Sequence, residues 1–291
     1  MKRYLLINRM QIHNASAMSS PYTIGFPAMT AWLGAVHALQ RAIQHKGLAE
    51  VSLPKTAVSC HKFNLQTYRG KGDYVNSIIG TANPLNKDGE RPSFIEEARC
   101  HLEVSLLIEA TGVTNDNKTE MMTIVREQLH RMKMASGDIL FFRGIDLVTV
   151  DDDDNKQVKA LIRKLMPGHV LIERRDLMSA SMAEGKDALE ALLDHTKVMH
   201  QSSVDENGNV TWSTQKKEPG WIVPIAVGFQ GVSPICSAKN QRDEKTEHRF
   251  AESVVTLGEF KMAYRFENID DMMWQYSVDL GQDLYVCKNQ Q

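Results

Sequence analysis

The chain carries no excess of positive charge. Its 34 lysines and arginines face 36 aspartates and glutamates, for a formal net charge of −2 and a pI of about 6.6. A free-standing nucleic-acid binder is usually strongly basic, so any contact with a polyanion must rest on local patches. Cysteine is scarce too: Cys60, Cys100, Cys236 and Cys287 form no CxxC pairing. That argues against a disulfide framework and predicts a reducing, cytoplasmic setting. No run approaches the roughly 20 apolar residues of a membrane span. In the opening MKRYLLINRMQIH, Asn8 and Arg9 interrupt the apolar stretch, so it reads as a strand and not as a signal peptide. GxxxxGK[ST], HExxH, GxSxG and GxGxxG are all missing, which removes the signatures of phosphate loops, zincins, serine hydrolases and nicotinamide enzymes.

What remains is the composition of a folded protein. With 291 residues, 42% hydrophobic and 24% charged, the chain can bury one large core or two smaller ones. Tyr4 to His13 is β-compatible and ends in the turn-prone stretch NASAMSSPYTIGFP, Asn14 to Pro27. Met29, Trp32, Leu33, Val36, Leu39 and Ile43 then recur at spacings of three and four, which predicts a helix within Pro27 to Lys46, closed by Gly47. Thr56 to Phe63 reads as a second strand. The glycine-rich stretch around TANPLNKDGERP fits a protruding hairpin or long loop, with Asp88-Gly89 as a tight turn. Cys100 to Ala110 resumes as a third strand. A second helix follows, with Asn117 as N-cap, Glu120 completing a capping box, a face of Met122, Val125, Leu129 and Met132, and Gly137 as its stop. Ile139 to Val150 makes a fourth strand.

The resulting order, βαββαβ, predicts an α+β fold: a ferredoxin-like, RRM-like domain over 1–150 with an inserted thumb at about 68–98. Residues 151–291 are expected to form a helical segment and a β-containing region packed on it. Asp151 to Asp154 reads as a solvated linker, Lys156 to Leu165 and Ala188 to Met199 as helices, and Val210 to Trp212 and Gly220 to Phe229 as strands.

Few residue sets carry chemistry. Cys60-His61 and Cys100-His101 fall on neighbouring strands, but adjacent strand residues face opposite sides, so neither Cys shares a metal with its own His; no metal site and no cofactor are expected. The third strand, CHLEVSLLIEA, has no aromatic residue, so the open sheet face is not expected to stack bases as an RRM does. The loops offer phosphate-binding groups instead. Asn14, Ser16, Ser19, Ser20 and Tyr22 lie in the first loop, Arg69, Lys71, Asn83, Asn86, Lys87 and Arg91 in the hairpin, and Lys239, Arg242 and Arg249 in a charged segment near the end. Lys156, Lys159 and Arg163 share one helical face and could meet a backbone or only water.

The strings RMQIHNASAMSSPYTIGFPAMTAWLGAVHALQR, NPLNKDGERPSFIEEARCHLEVSLL, PGWIVPIAVGFQGVSP and HRFAESVVTLGEF resemble the second Csy subunit of type I-F CRISPR surveillance (Csy, or Cascade-type) complexes, the Cas-five-type member of the RAMP superfamily. That resemblance implies a non-catalytic, RNA-binding antiviral-defence subunit that grips the five-prime handle of crRNA. Its implied partners are the large subunit, the adjacent backbone subunit and, through the complex, target DNA near the PAM-proximal end. The alternative is a RAMP-type endoribonuclease that cuts precursor crRNA with His13 or His61.

Overall fold

Strand β1 (Lys2–Ser16) alternates its side chains between two faces and is kinked twice. An extra residue enters between Ile7 and Met10, where Arg9 takes a φ of 52°, and another between Ile12 and Ala15, where Asn14 takes 54°. The chain then makes a small hairpin, β2 (Met18–Ser20) and β3 (Thr23–Ile24), before helix α1 (Met29–His45). The side chains that α1 buries are Met29, Trp32, Leu33, Val36, Leu39 and Ile43, the set that the sequence spacing marks. Each contributes about 2 kcal/mol of transfer free energy, and Gly47 at φ 102° ends the helix. Strand β4 (Thr56–Leu65), the short pair β5 (Thr67–Tyr68) and β6 (Ser77–Ile78), and strand β7 (Arg99–Glu109) follow. The computed structural model describes residues 1–79, 85–90, 97–205, 207–239, 241, 243 and 245–289.

Helix α2 (Lys118–Leu129) buries Met121, Ile124, Val125 and Leu129, a face rotated by about one residue from the expected one. Asn117 sits at its N-cap without capping it by its side chain; its oxygen accepts from Thr114 N–H instead, at 2.8 Å. Gly137 does not stop the helix. It opens the next strand, after the two-residue strand β8 (Lys133–Met134) and a turn through Ala135 and Ser136. A Cβ at Gly137 would lie 2.6 Å from the His13 carbonyl, which explains glycine there. The expected fourth strand is two: β9 (Gly137–Phe141) and β10 (Gly144–Val150), both on β1, separated where the Arg9 kink turns the partner strand away.

Asp154 is more than linker. Its carboxylate accepts from the N–H groups of Lys156 and Gln157 and caps α3 (Asn155–Lys164). Next come β11 (His169–Glu173), α4 (Arg175–Ala183), α5 (Ala188–Thr196), the hairpin β12 (Met199–Val204) and β13 (Val210–Gln215), β14 (Trp221–Gly231), β15 (Ala251–Met262), β16 (Trp274–Asp279) and β17 (Leu284–Asn289). Five α-helices are found among the described residues.

The architecture is mixed α and β around a large antiparallel sheet. At one end the order is β10–β1–β7–β4, all antiparallel, with α1 and α2 packed on one face through Leu5, Ile7, Val104 and Leu106. On the other face α3 covers Tyr4, Leu6, Ala57 and Leu107 through Val158, Leu161, Ile162 and Leu165. The far edge of β4 pairs with both β16 and β11, and these lead through β17, β14 and β15 back to one another. Six strands thus close a hydrogen-bonded ring, with the Trp274 indole donating to the Leu171 carbonyl at 2.7 Å across its interior.

Candidate nucleic-acid interface

The first loop, Asn14 to Pro27, is held at both ends. At its start the Asn14 N–H donates to His101 Nδ1 at 3.2 Å, its side-chain oxygen accepts from Gln66 at 2.8 Å, and its carbonyl accepts from Arg99 at 3.2 Å. At its end Phe26 is buried against three aromatic rings: Trp32 at 5.4 Å, Phe260 at 5.2 Å and Phe63 at 6.4 Å. These rings belong to α1, β15 and β4, so one phenyl ties the loop to both ends of the sheet. Between these anchors Ser19 and Ser20 share the Thr23 hydroxyl at 2.9 and 2.7 Å, which shapes the β2–β3 hairpin. Ser20 is buried, and its oxygen also accepts from the Tyr22 N–H. Ser16 is half-buried, with its hydroxyl on the Met18 carbonyl at 3.5 Å, while Tyr22 at the tip is 79% exposed.

The base of the second hairpin adjoins that anchor. Gln66, which touches both Asn14 and His101, also pairs by its backbone with Arg99 and Ile79. From this base a turn at 70–73 forms as the Asp73 carboxylate accepts from the Gly70 N–H at 2.8 Å and the Arg69 Nε donates to the Asp73 carbonyl at 2.8 Å. Arg69 and Lys71 are exposed there. Farther along, the Asn86 oxygen accepts from the N–H groups of Asp88 and Glu90, closing a turn with Gly89 at φ 77° and leaving Lys87 exposed. Ile79 is exposed, whereas Ile78 packs on the core. Asn83, Arg91 and Arg242 lie outside the described residues.

The final charged segment behaves differently. Lys239 is exposed, but Arg249 is spent on the fold: it donates to the Ser233 carbonyl at 2.9 and 2.7 Å and pairs with Asp283 at 2.5 Å. The structure therefore brings Asn14, Ser16, Ser19, Ser20 and Tyr22 to one end with the hairpin base, and no hydrogen bond or ion pair among the described residues joins Lys239 or Arg249 to them.

A polar stripe that sequence reasoning did not assemble runs across the sheet beside these loops. Kinking β1 at Arg9 aims its guanidinium at Glu103, 2.7 Å away, and Lys62 reaches the same carboxylate at 3.1 Å. Burial pushes that carboxyl up, but the hydrogen bonds and charges of Arg9 and Lys62 together outweigh it and hold it below the usual range. His61 Nε2 sits 2.8 Å from the Ser105 hydroxyl, and burial, reinforced by the Arg9 charge, lowers its pKa. His101 stacks on His13 at 4.3 Å; burial and then that neighbour lower its pKa, so it is neutral at pH 7. Cys60 and Cys100 point into the apolar core on the opposite face, and no group of three or more His, Cys, Asp or Glu is placed to hold a metal among the described residues. Nor is any helix among them long and apolar enough to cross a membrane.

Residues 5–287 match the protein family described as CRISPR-associated protein (Cas_Csy2). The CRISPR-associated protein Csy2 of Pseudomonas aeruginosa (strain UCBPP-PA14) is 33% identical over 309 aligned positions, covering 97% of this chain and 93% of that protein. The chain belongs to the CRISPR-associated Csy2 family.

Proposed function

We propose that the chain is a non-catalytic subunit of a type I-F CRISPR surveillance complex, holding the five-prime handle of crRNA in its loops. The large subunit and the adjacent backbone subunit are its protein partners, and target DNA is met near the PAM-proximal end through the complex. The observation that carries this reading is the pinned first loop: fixed by Asn14 and Phe26, it presents Tyr22 at its tip, and the hairpin whose base it touches through Gln66 carries the exposed Arg69 and Lys71. Fixed loop donors are what recognition of a single-stranded end requires, since ordering them on binding would cost affinity. The sheet order β10–β1–β7–β4, with both helices on one face, supports a ferredoxin-like, Cas-five-type RAMP domain over 1–150 carrying the thumb, with 151–291 packed on it.

Endonucleolytic cleavage would need two proton-transfer groups flanking a phosphate. Two features weigh against it here. His13 and His101 lie ring against ring, and Nδ1 of His101 is occupied, accepting from the Asn14 N–H at 3.2 Å. The deciding experiment is co-expression with the large subunit and measurement of the crRNA that copurifies, repeated with Arg69→Glu and Lys71→Glu together. Losing two phosphate contacts lowers the salt-dependence slope of single-strand binding by about 1.4. Unchanged affinity and slope refute the loop reading, and metal-independent cleavage lost in His13→Ala replaces it with the endonuclease.

A further inference from the structure

The basic run that begins on α3 is sorted by the fold into spent and unspent charges. Lys164 pairs with Asp146 at 3.2 Å, Arg174 with Asp176 at 3.0 Å and Glu259 at 2.7 Å, and Arg175 with Glu173. Lys159 and Arg163, one turn apart on α3, are exposed, and no ion pair joins either to a carboxylate among the described residues. Opposite them the short turn Ala263–Arg265, a hundred residues away in sequence, brings in Tyr264 and Arg265. Arg265 has no carboxylate at ion-pair distance among the described residues, although the charge of Glu259 reaches it. Together they line an open cleft of about 440 Å³ in which Glu267 is the one opposing carboxylate. Its floor is apolar, Ile162 and Phe266, so the cations stand at the rim of a desolvating surface.

We propose that this cleft binds a nucleic-acid strand, its phosphodiester held by Lys159, Arg163 and Arg265 and an adjacent base laid on Tyr264, which is 59% exposed. Three cations outnumber Glu267 in the cleft and Glu259, which acts on Arg265 from outside it and is itself paired with Arg174, and leave a surplus that calls for an anion. Two of them are guanidiniums, whose planar forks match phosphate oxygens two at a time. An exposed aromatic ring beside such a fork is the combination that tracks unpaired strands, and a volume of this size accepts a nucleotide and not merely a small anion. The cleft is built from α3 and the turn after β15, so it forms a second contact surface independent of the first loop and its hairpin.

The test uses the full-length chain and labelled 20-nucleotide oligouridine RNA and oligothymidine DNA, with affinity measured by fluorescence anisotropy across a salt series. Lys159→Gln, Arg163→Gln and Arg265→Gln together lower affinity at least about tenfold and lower the salt slope by about 2. Tyr264→Ala lowers affinity about tenfold and leaves the slope unchanged, because stacking releases no counterions. Equal losses for RNA and DNA assign the shared phosphodiester, and a loss for RNA alone assigns the ribose as well; either supports the cleft. Arg69→Glu with Lys71→Glu serves as the independent arm: if it has no effect while the cleft variants do, only the loop reading falls. Parental affinity and slope for both strands in the triple variant overturn the proposal. So does a triple variant that loses binding of polyglutamate while retaining both strands, which would reassign the cleft to an acidic protein segment. Thermal melts within a few degrees of the parent, as expected for surface changes, show that the variants are folded.

Discussion

Replacing Gly228 by alanine tests whether the six-strand ring is a mechanical unit. Gly228 lies on β14 just past an irregularity between Ala226 and Gly228 and faces Val286 of β17. A Cβ there would stand 2.1 Å from the Tyr285 carbonyl oxygen and 2.7 Å from the Val286 Cα. Both obstacles are backbone, so no rotamer relieves them, and the strands must separate by about 1 Å to reach ordinary contact. The ladder at risk joins Gly228 to Val286, Phe229 to Tyr285 and Gln230 to Leu284. At about 1 kcal/mol net per hydrogen bond, plus loosened packing of the buried Val286, the loss is about 3 kcal/mol. Gly25→Ala is the matched control, because its Cβ meets nothing within 4 Å. Urea unfolding followed by tryptophan fluorescence gives the difference, and hydrogen exchange in β16 and β17 rises with it. Equal unfolding midpoints for the two variants refute the claim that β14 and β17 close the ring.

Burial pushes the thiols of Cys60, Cys100 and Cys287 up to about 12, whereas Cys236 is exposed; Ellman's reagent therefore titrates one thiol in the native chain and all four after denaturation. Glu103→Gln removes the partner of Arg9 and Lys62 and costs about 2 kcal/mol at pH 7. The Glu103 carboxyl is held below its usual range when folded, so its stabilisation exists above that range and fades as pH falls through it; the acid limb of the parent's stability profile is correspondingly steeper than the variant's. Trp274→Phe strands the buried Leu171 carbonyl, 2.7 Å from the indole nitrogen. It lowers stability by about 2 kcal/mol in a thermal or urea melt.

How far the fold can be read from the sequence depends on whether its cause is local. The six buried positions of α1 follow from spacing alone, and the split between buried cysteines and outward histidines on β4 and β7 follows from strand alternation. The division of the fourth strand could not be read, because it answers the Arg9 kink on a strand more than 130 residues earlier. Strands β11, β16 and β17 carry five or six residues each and gain their place only by pairing around the ring, which no window of sequence contains. In the candidate interface, turn chemistry marked the first loop. Its anchoring by Phe26 went unseen because Phe260 arrives from the far end of the chain. Arg249 looked like a free cation for the same reason: Asp283, its partner, follows it by 34 residues.

The distribution of charge explains how a chain with a net charge of −2 can still belong to an RNA-guided assembly. Arg9, Arg99, Arg174, Arg175 and Arg249 are committed to carboxylates that fix bends and strand ends, so they add rigidity and little external field. Among the exposed cations without an ion pair, two sets bear on the proposals: Arg69 and Lys71 on the hairpin whose base adjoins the first loop, and Lys159, Arg163 and Arg265 at the cleft between α3 and the turn after β15. Strand β4 lies between them, pairing with β7 along one edge and with β11 and β16 along the other. The separation of the two cationic sites is therefore set by backbone hydrogen bonds and not by a flexible linker. Such a chain does not attract polyanions at long range; on the two proposals together, a strand is bound well only when it reaches both sites at once, which is the behaviour an assembled subunit needs and a scavenger of stray RNA lacks.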